Sequence, residues 1–181
     1  MRYSILLSIS LTLACGGAGT GPCNAPINGE REALIDHDLW RVAGAHEDPW
    51  ASHRPGVLTC PDWGHGREGS TYEVNTGDCN YITLVQETKR RLCTGTSIEA
   101  VFWHLPLWAA EPTQGHVSIT LGTTGLLDET LEIPGNGNSY TPRITLDRNL
   151  AAGTPIRLHI HNHGRNDWTL LEVVALADES P

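Results

Sequence analysis

The stretch PIRLHIHNHGRNDWTLLEVVAL, residues Pro155 to Leu176, decides the fold class. Its first half alternates. Ile156, Leu158 and Ile160 are apolar, whereas Arg157, His159 and His161 are polar. Side chains of a strand point alternately to opposite faces, so this pattern predicts a strand with one face in the core. The second half, from Trp168, is aliphatic and β-prone. Between the halves, Gly164 offers a turn conformation within His163–Asn166. The two halves read as an antiparallel hairpin with Asn162 opposite Asp167. On one face Ile160 then meets Thr169, Leu158 meets Leu171 and Ile156 meets Val173. On the other, Arg157 meets Glu172, His159 meets Leu170 and His161 meets Trp168. The one charge pair is opposite in sign, and a one-residue slip would set polar against apolar.

Outward from this stretch the same grammar repeats. Runs at Ser70–Asn75, Tyr81–Glu87, Ile98–Leu107, His116–Leu121, Leu126–Ile133 and Tyr140–Leu146 are separated by turn signals such as Gly122–Gly125 and Pro134–Asn138. Short strands at about ten-residue spacing predict an all-β fold, a β-sandwich or jelly roll, over 70–177. Residues 24–69 read as an irregular, loop-rich N-terminal part of the domain. Gly64–Gly69 spells G-x-G-x-x-G, but no hydrophobic strand precedes it, so it reads as a loop and not as a dinucleotide turn. A chain of 181 residues is one domain's worth. A net charge of −9 argues against a nucleic-acid partner, whose phosphates require a basic face.

The N-terminus carries an address. Arg2 precedes the apolar run Ile5–Leu13, which is too short for the roughly 30 Å hydrocarbon core and has the form of a secretion signal. Leu11-Thr-Leu-Ala-Cys15 resembles the lipobox of bacterial lipoproteins, with Thr12 where Leu is usual. The resemblance implies that residues 1–14 are a cleaved signal peptide. It implies that Cys15 is lipidated on its thiol and acylated on its new amine by chains of the palmitate kind. Residues 15–23 would then form a flexible tether. Several acyl chains hold a protein stably on a membrane. The implied location is the bacterial cell envelope, and Gly16 after the cysteine implies the outer membrane by the enteric sorting rule. From Cys60 onward the chain resembles a family of uncharacterised bacterial lipoproteins, through Asp78–Tyr81, Trp103–Leu105 and His161–Trp168. That family brings no activity with it. In outline the fold is also similar to galactose-binding-like jelly rolls.

Four further cysteines, Cys23, Cys60, Cys79 and Cys93, predict two disulfides in an exported chain. Of three connectivities, Cys60–Cys79 with Cys23–Cys93 is favoured, because Cys60 and Cys79 flank strands in one Gly-rich region. No two have the close spacing of zinc ligands.

Two functional readings follow. In the first, the domain is a non-catalytic binding or structural module with a glycan or envelope partner and no cofactor. His161, Arg165, Asn166 and Trp168 form its candidate ligand site, and Trp103 and Trp108 are further aromatic candidates, although Trp103 and at least two other tryptophans suit a core better. In the second, the chain is a metal-binding protein or metal-dependent enzyme. His159 and His161, two apart on a strand, project from one face about 6–7 Å apart. They could hold zinc or another divalent transition metal with His104, Glu111 or His116. The competing account of these histidines is plain strand residues, with His161 stacked on Trp168. Gly153–His161 resembles the opening of the first cupin motif, but no Glu follows at the next ligand position, so no cupin activity is carried over. No G-x-S-x-G, Walker or H-E-x-x-H motif is present, and no catalytic residue is assigned. Asp78, Asn80, Asp147 and Asn149 read as turn residues.

Overall fold

The computed structural model describes residues 31–176. Its strands are β1 (Glu32–Ala33), β2 (Arg41–Val42), β3 (His65–Glu68), β4 (Thr71–Asn75), β5 (Tyr81–Glu87), β6 (Ser97–His104), β7 (Thr113–Leu121), β8 (Thr124–Ile133), β9 (Asn138–Tyr140), β10 (Arg143–Thr145), β11 (Pro155–His161) and β12 (Asp167–Leu176). They form two antiparallel sheets. One runs β10-β6-β12-β4-β3, with β1 also on β12 and β9 also on β6; the other runs β2-β5-β11-β7-β8. The helical elements among the described residues are three-residue 3₁₀ turns. None of these is long and apolar enough to cross a membrane.

The sheets face each other across one apolar core. Ile156, Leu158 and Ile160 of β11 are buried there beside Ile82 and Leu84 of β5 and Val117, Ile119 and Leu121 of β7. Phe102, Trp168, Leu170 and Val173 fill it from the other sheet. The inward parity of β12 changes between Leu170 and Val173. The register shift between Leu170 and Glu172 supplies the reason, since one extra residue reverses which positions face inward.

The expected hairpin does not form. β11 pairs with β5 and β7, and β12 pairs with β6, β4 and β1, in the opposite sheet. Residues 162–166 cross from one sheet to the other. Sheets pack about 10 Å apart, and five residues can span about 16 Å. The crossing is held by Thr76: its hydroxyl accepts from Asn162 Nδ2 at 2.6 Å and from the Asn166 amide at 3.1 Å, and its own amide donates to the Asn166 carbonyl. Arg157 and Glu172 therefore never meet. Arg157 donates to the carbonyls of Glu47 and Gly122, and Glu172 pairs with Arg31. Alternation identified the buried face of β11 but not its neighbours.

Residues 31–69 are less irregular than expected. Gly64–Gly69 is mostly strand: β3 pairs with β4, and Gly69 turns the chain at φ +58°. The Cys60–Cys79 disulfide ties the preceding loop to the β4–β5 turn. Cys93 is buried and disulfide-bonded; Cys23, its expected partner, lies outside the described residues, as do Cys15 and the expected signal peptide.

Candidate metal centre

The outer face of the β5-β11-β7-β8 sheet follows from strand parity. If the even residues of β11 point inward, its odd residues point out. Register then sets His161 between Tyr81 and His116 in one cross-strand row, and His159 between Thr83 and Ser118 in the next. Such an outer face would normally meet water. Here it is covered. After β2 the chain leaves the sheet edge, turns through Gly44–Glu47, and lies back over β5 and β11. Asp48 fastens this strap. Its carboxylate is buried and accepts from Tyr81 Oη at 2.6 Å, Thr83 Oγ1 at 2.8 Å and Arg54 Nη2 at 3.0 Å. Burial pushes the Asp48 pKa up, but these hydrogen bonds outweigh it and hold the group below the usual range. Burial and the bond to Asp48 push the Tyr81 phenol up to about 12, so it remains a donor.

Past Asp48 the strap delivers two rings. Trp50 stacks on His159 at 4.8 Å between ring centroids. His53, at the end of the 3₁₀ turn Ala51–His53, lies 5.0 Å from His116, 5.7 Å from His159 and 6.2 Å from His161. His163 follows at 4.7 Å from His161. Five of the nine histidines thus gather at one place. Within this group one ring nitrogen each of His53, His116 and His159 lies within 4.8 Å of the other two.

Hydrogen bonding fixes which nitrogens are free. The Thr83 hydroxyl has one proton, and the Asp48 carboxylate can only accept, so that proton goes to Asp48. The Thr83 oxygen must then accept from His159 Nδ1–H, 2.9 Å away. The lone pair of His159 is left on Nε2, which is buried and has no hydrogen-bond partner among the described residues. The same logic applies to His116. Its Nε2–H donates to Asp128 Oδ1 at 2.8 Å, leaving Nδ1 buried and unpartnered. Nε2 of His161 is also buried and unpartnered. Burial first, then the neighbouring imidazoles, push His159 down to about 3 and His161 down to about 4. Both rings are neutral at pH 7 and able to act as ligands.

A buried polar nitrogen without a partner costs about 1–3 kcal/mol, so several gathered on one sheet face call for a common guest. Neutral imidazoles held by an outer hydrogen bond to a hydroxyl or carboxylate are the usual arrangement of metal-ligating histidines. Zinc–nitrogen bonds of 2.0–2.1 Å put tetrahedral ligand atoms about 3.4 Å apart. The observed separations are longer by up to about 1.4 Å.

Of the residues picked from sequence, His116, His159 and His161 come together. His104 does not: it lies on β6 in the other sheet, donates from Nδ1 to the Leu105 carbonyl, and packs on Trp168 at 5.0 Å. Glu111 is exposed in the β6–β7 connection, outside the group. The candidate ligand set divides. Trp168 is fully buried, packed on Phe102, so it presents no ring to a ligand and does not stack on His161. Asn166 is also buried, clamping the Trp108 backbone through its Oδ1 and Nδ2. Arg165 is exposed and, with Trp108, borders a cleft of about 400 Å³. His161 lines a different cleft, of about 650 Å³, with His53 and His116; His163 borders both. Asn80 and Asn149 hold loop backbone, as turn residues do: Asn80 bonds Thr59 and Val57, and Asn149 bonds Thr94.

No protein-family model and no curated protein sequence matches the chain. Among solved structures, "TmCBM27", described as a carbohydrate-binding module with specific mannan recognition, aligns at 10% identity and TM-score 0.46, over 82% of this chain and 96% of that one. "TmCBM61", solved with β-1,4-galactotriose, aligns at 10% identity and TM-score 0.42, over 81% and 99%. The K1 cleaved adhesin domain of Lys-gingipain from Porphyromonas gingivalis W83 aligns at 14% identity and TM-score 0.40, over 82% and 98%. The β-sandwich assignment rests on the strand pairing above, and nothing of these proteins' ligands is transferred to this chain.

Proposed function

We propose that this protein is an exported, lipid-anchored β-sandwich that binds one divalent transition-metal ion through His53, His116 and His159. The observation that carries the reading is that one ring nitrogen each of His53, His116 and His159 lies within 4.8 Å of the other two, while His116 Nδ1 and His159 Nε2 are buried without a partner among the described residues and the opposite nitrogens of those two rings are held from behind. Imidazole ligands suit zinc, copper or nickel better than calcium or magnesium. The test is calorimetric titration of chelator-treated protein with zinc. One ion per chain is expected, with binding lost in His159→Ala. Absence of saturable binding by zinc, copper and nickel would sink the reading. The export half rests on the sequence around Cys15. Mass spectrometry of the mature N-terminus is expected to find acylated Cys15 as the first residue; an unmodified start elsewhere would refute it.

A second reading has its own support. Trp108 is 58% exposed over the smaller cleft, beside the exposed side chain of Arg165. An exposed indole next to polar groups is a fitting platform for a sugar ring. Glycan-array binding that is lost in Trp108→Ala would establish it, and an array without hits would remove it.

A further inference from the structure

The metal reading leaves open whether the ion would be sealed in or reachable. We infer that the centre is coordinatively open and takes a small monoanion from solution as its fourth ligand; this rests on the metal reading above. Three observations point the same way.

The first is ligand number. Among the described residues, three side chains, those of His53, His116 and His159, bring nitrogens within 4.8 Å of one another. The next imidazole, His161, falls outside that group; by ring centroids it lies 6.2 Å from His53, against 5.0 Å for His116 and 5.7 Å for His159. A tetrahedral ion held by three protein ligands keeps one position for a guest.

The second is space. The 650 Å³ cleft is lined by His53 and His116, two of the three ligands, and by His161, while His159 lies behind them, so a guest entering the cleft comes up to the centre from the His53 and His116 side. Its other walls include Ser52, Thr113, Gln114 and Thr130, which offer hydroxyls and an amide but no bulk to close it.

The third is charge. Three neutral imidazoles leave a divalent ion with its full +2. No carboxylate lines the cleft among the described residues. Asp48 stands behind Thr83 and is already paired with Arg54. Asp128 stands behind His116 with its side chain 71% exposed, where water screens it. An anion from solution is therefore the cheapest way to lower the charge of the buried ion.

Cobalt(II) serves as the probe, because its visible ligand-field bands report coordination. The full-length protein is loaded with cobalt(II) and titrated with azide. A saturable shift of the bands with one azide per cobalt is expected. In Thr130→Asp, which adds a carboxylate to the cleft wall opposite His116, azide affinity is expected to fall about tenfold or more. Stoichiometric cobalt whose bands ignore saturating azide would overturn the open site while leaving the metal reading intact. Unchanged azide affinity in Thr130→Asp would show that the anion does not enter through this cleft. Failure to bind cobalt at all would remove both ideas together.

Discussion

At the scale of single residues, Thr83 decides how His159 can act. Its hydroxyl passes one hydrogen bond to Asp48 and receives one from His159, which fixes the imidazole tautomer. Thr83→Val keeps the shape and removes the relay. Zinc affinity is expected to drop about 10–100-fold, the usual cost of losing such a partner, and Thr83→Ser should restore it. A competition titration against a chelator reads this out. Equal affinities in all three proteins would show that the relay does not orient the ligand. The face shared by His159 and His161 was legible in the sequence, because alternation needs only local information. His116 was among the candidates because it lies on another strand. His53 was not legible: Ala51-Ser-His53 has no periodicity, and its place comes from a strap whose path is set by Asp48, Tyr81 and Thr83 together.

At the scale of elements, the sequence showed where strands lie better than which strands pair. The expected run Tyr81–Glu87 matches the strand in the structure residue for residue. Alternation sorts side chains into two faces, and that sorting is the same whether the next strand lies beside β11 or across the core from it. The five-residue connection was compatible with both. Buried Asn162 and its bond to Thr76, 86 positions away, decide for the crossing, and no local pattern announces them. Trp168 consequently moved from an expected surface to the core. Leu158 kept its role under either pairing, being 1% exposed. Leu158→Ala is expected to cost about 2–5 kcal/mol through the cavity it leaves between the sheets. Urea unfolding followed by circular dichroism measures this. A loss within experimental scatter would mean that β11 does not face the core.

At the scale of the whole molecule, acid should undo the fold in two stages, and the signs can be worked out. His159 and His161 have folded pKa values of about 3 and 4, below the ordinary 6.5. They are faced by His53, His116, His163 and, behind Thr83, Asp48. In metal-free protein the unfolded chain takes up protons first as pH falls below about 6.5. Unfolding then binds protons, so stability falls with pH until the folded values are reached. Each group contributes a slope of at most about 1.4 kcal/mol per pH unit. Glu99 acts later. Hydrogen bonds from Arg143 outweigh burial, and with Arg31 they hold its carboxyl below 4.5. Its contribution is fully present above the unfolded value and is lost as pH falls through the folded one. These pairs matter to the whole chain because Arg31 also holds Glu172, so the start of the described chain is pinned to the sheet opposite the histidines. Thermal melts of chelator-treated protein should therefore show stability falling from about pH 6.5 as the histidines contribute, with Glu99 adding to the loss below about 4.5. His159→Gln should flatten the upper part, and Glu99→Gln should weaken the lower. A melting temperature constant from pH 6.5 to 4.5 would show that the histidines are not held neutral by burial, and the lone-pair argument for the metal centre would fall with it.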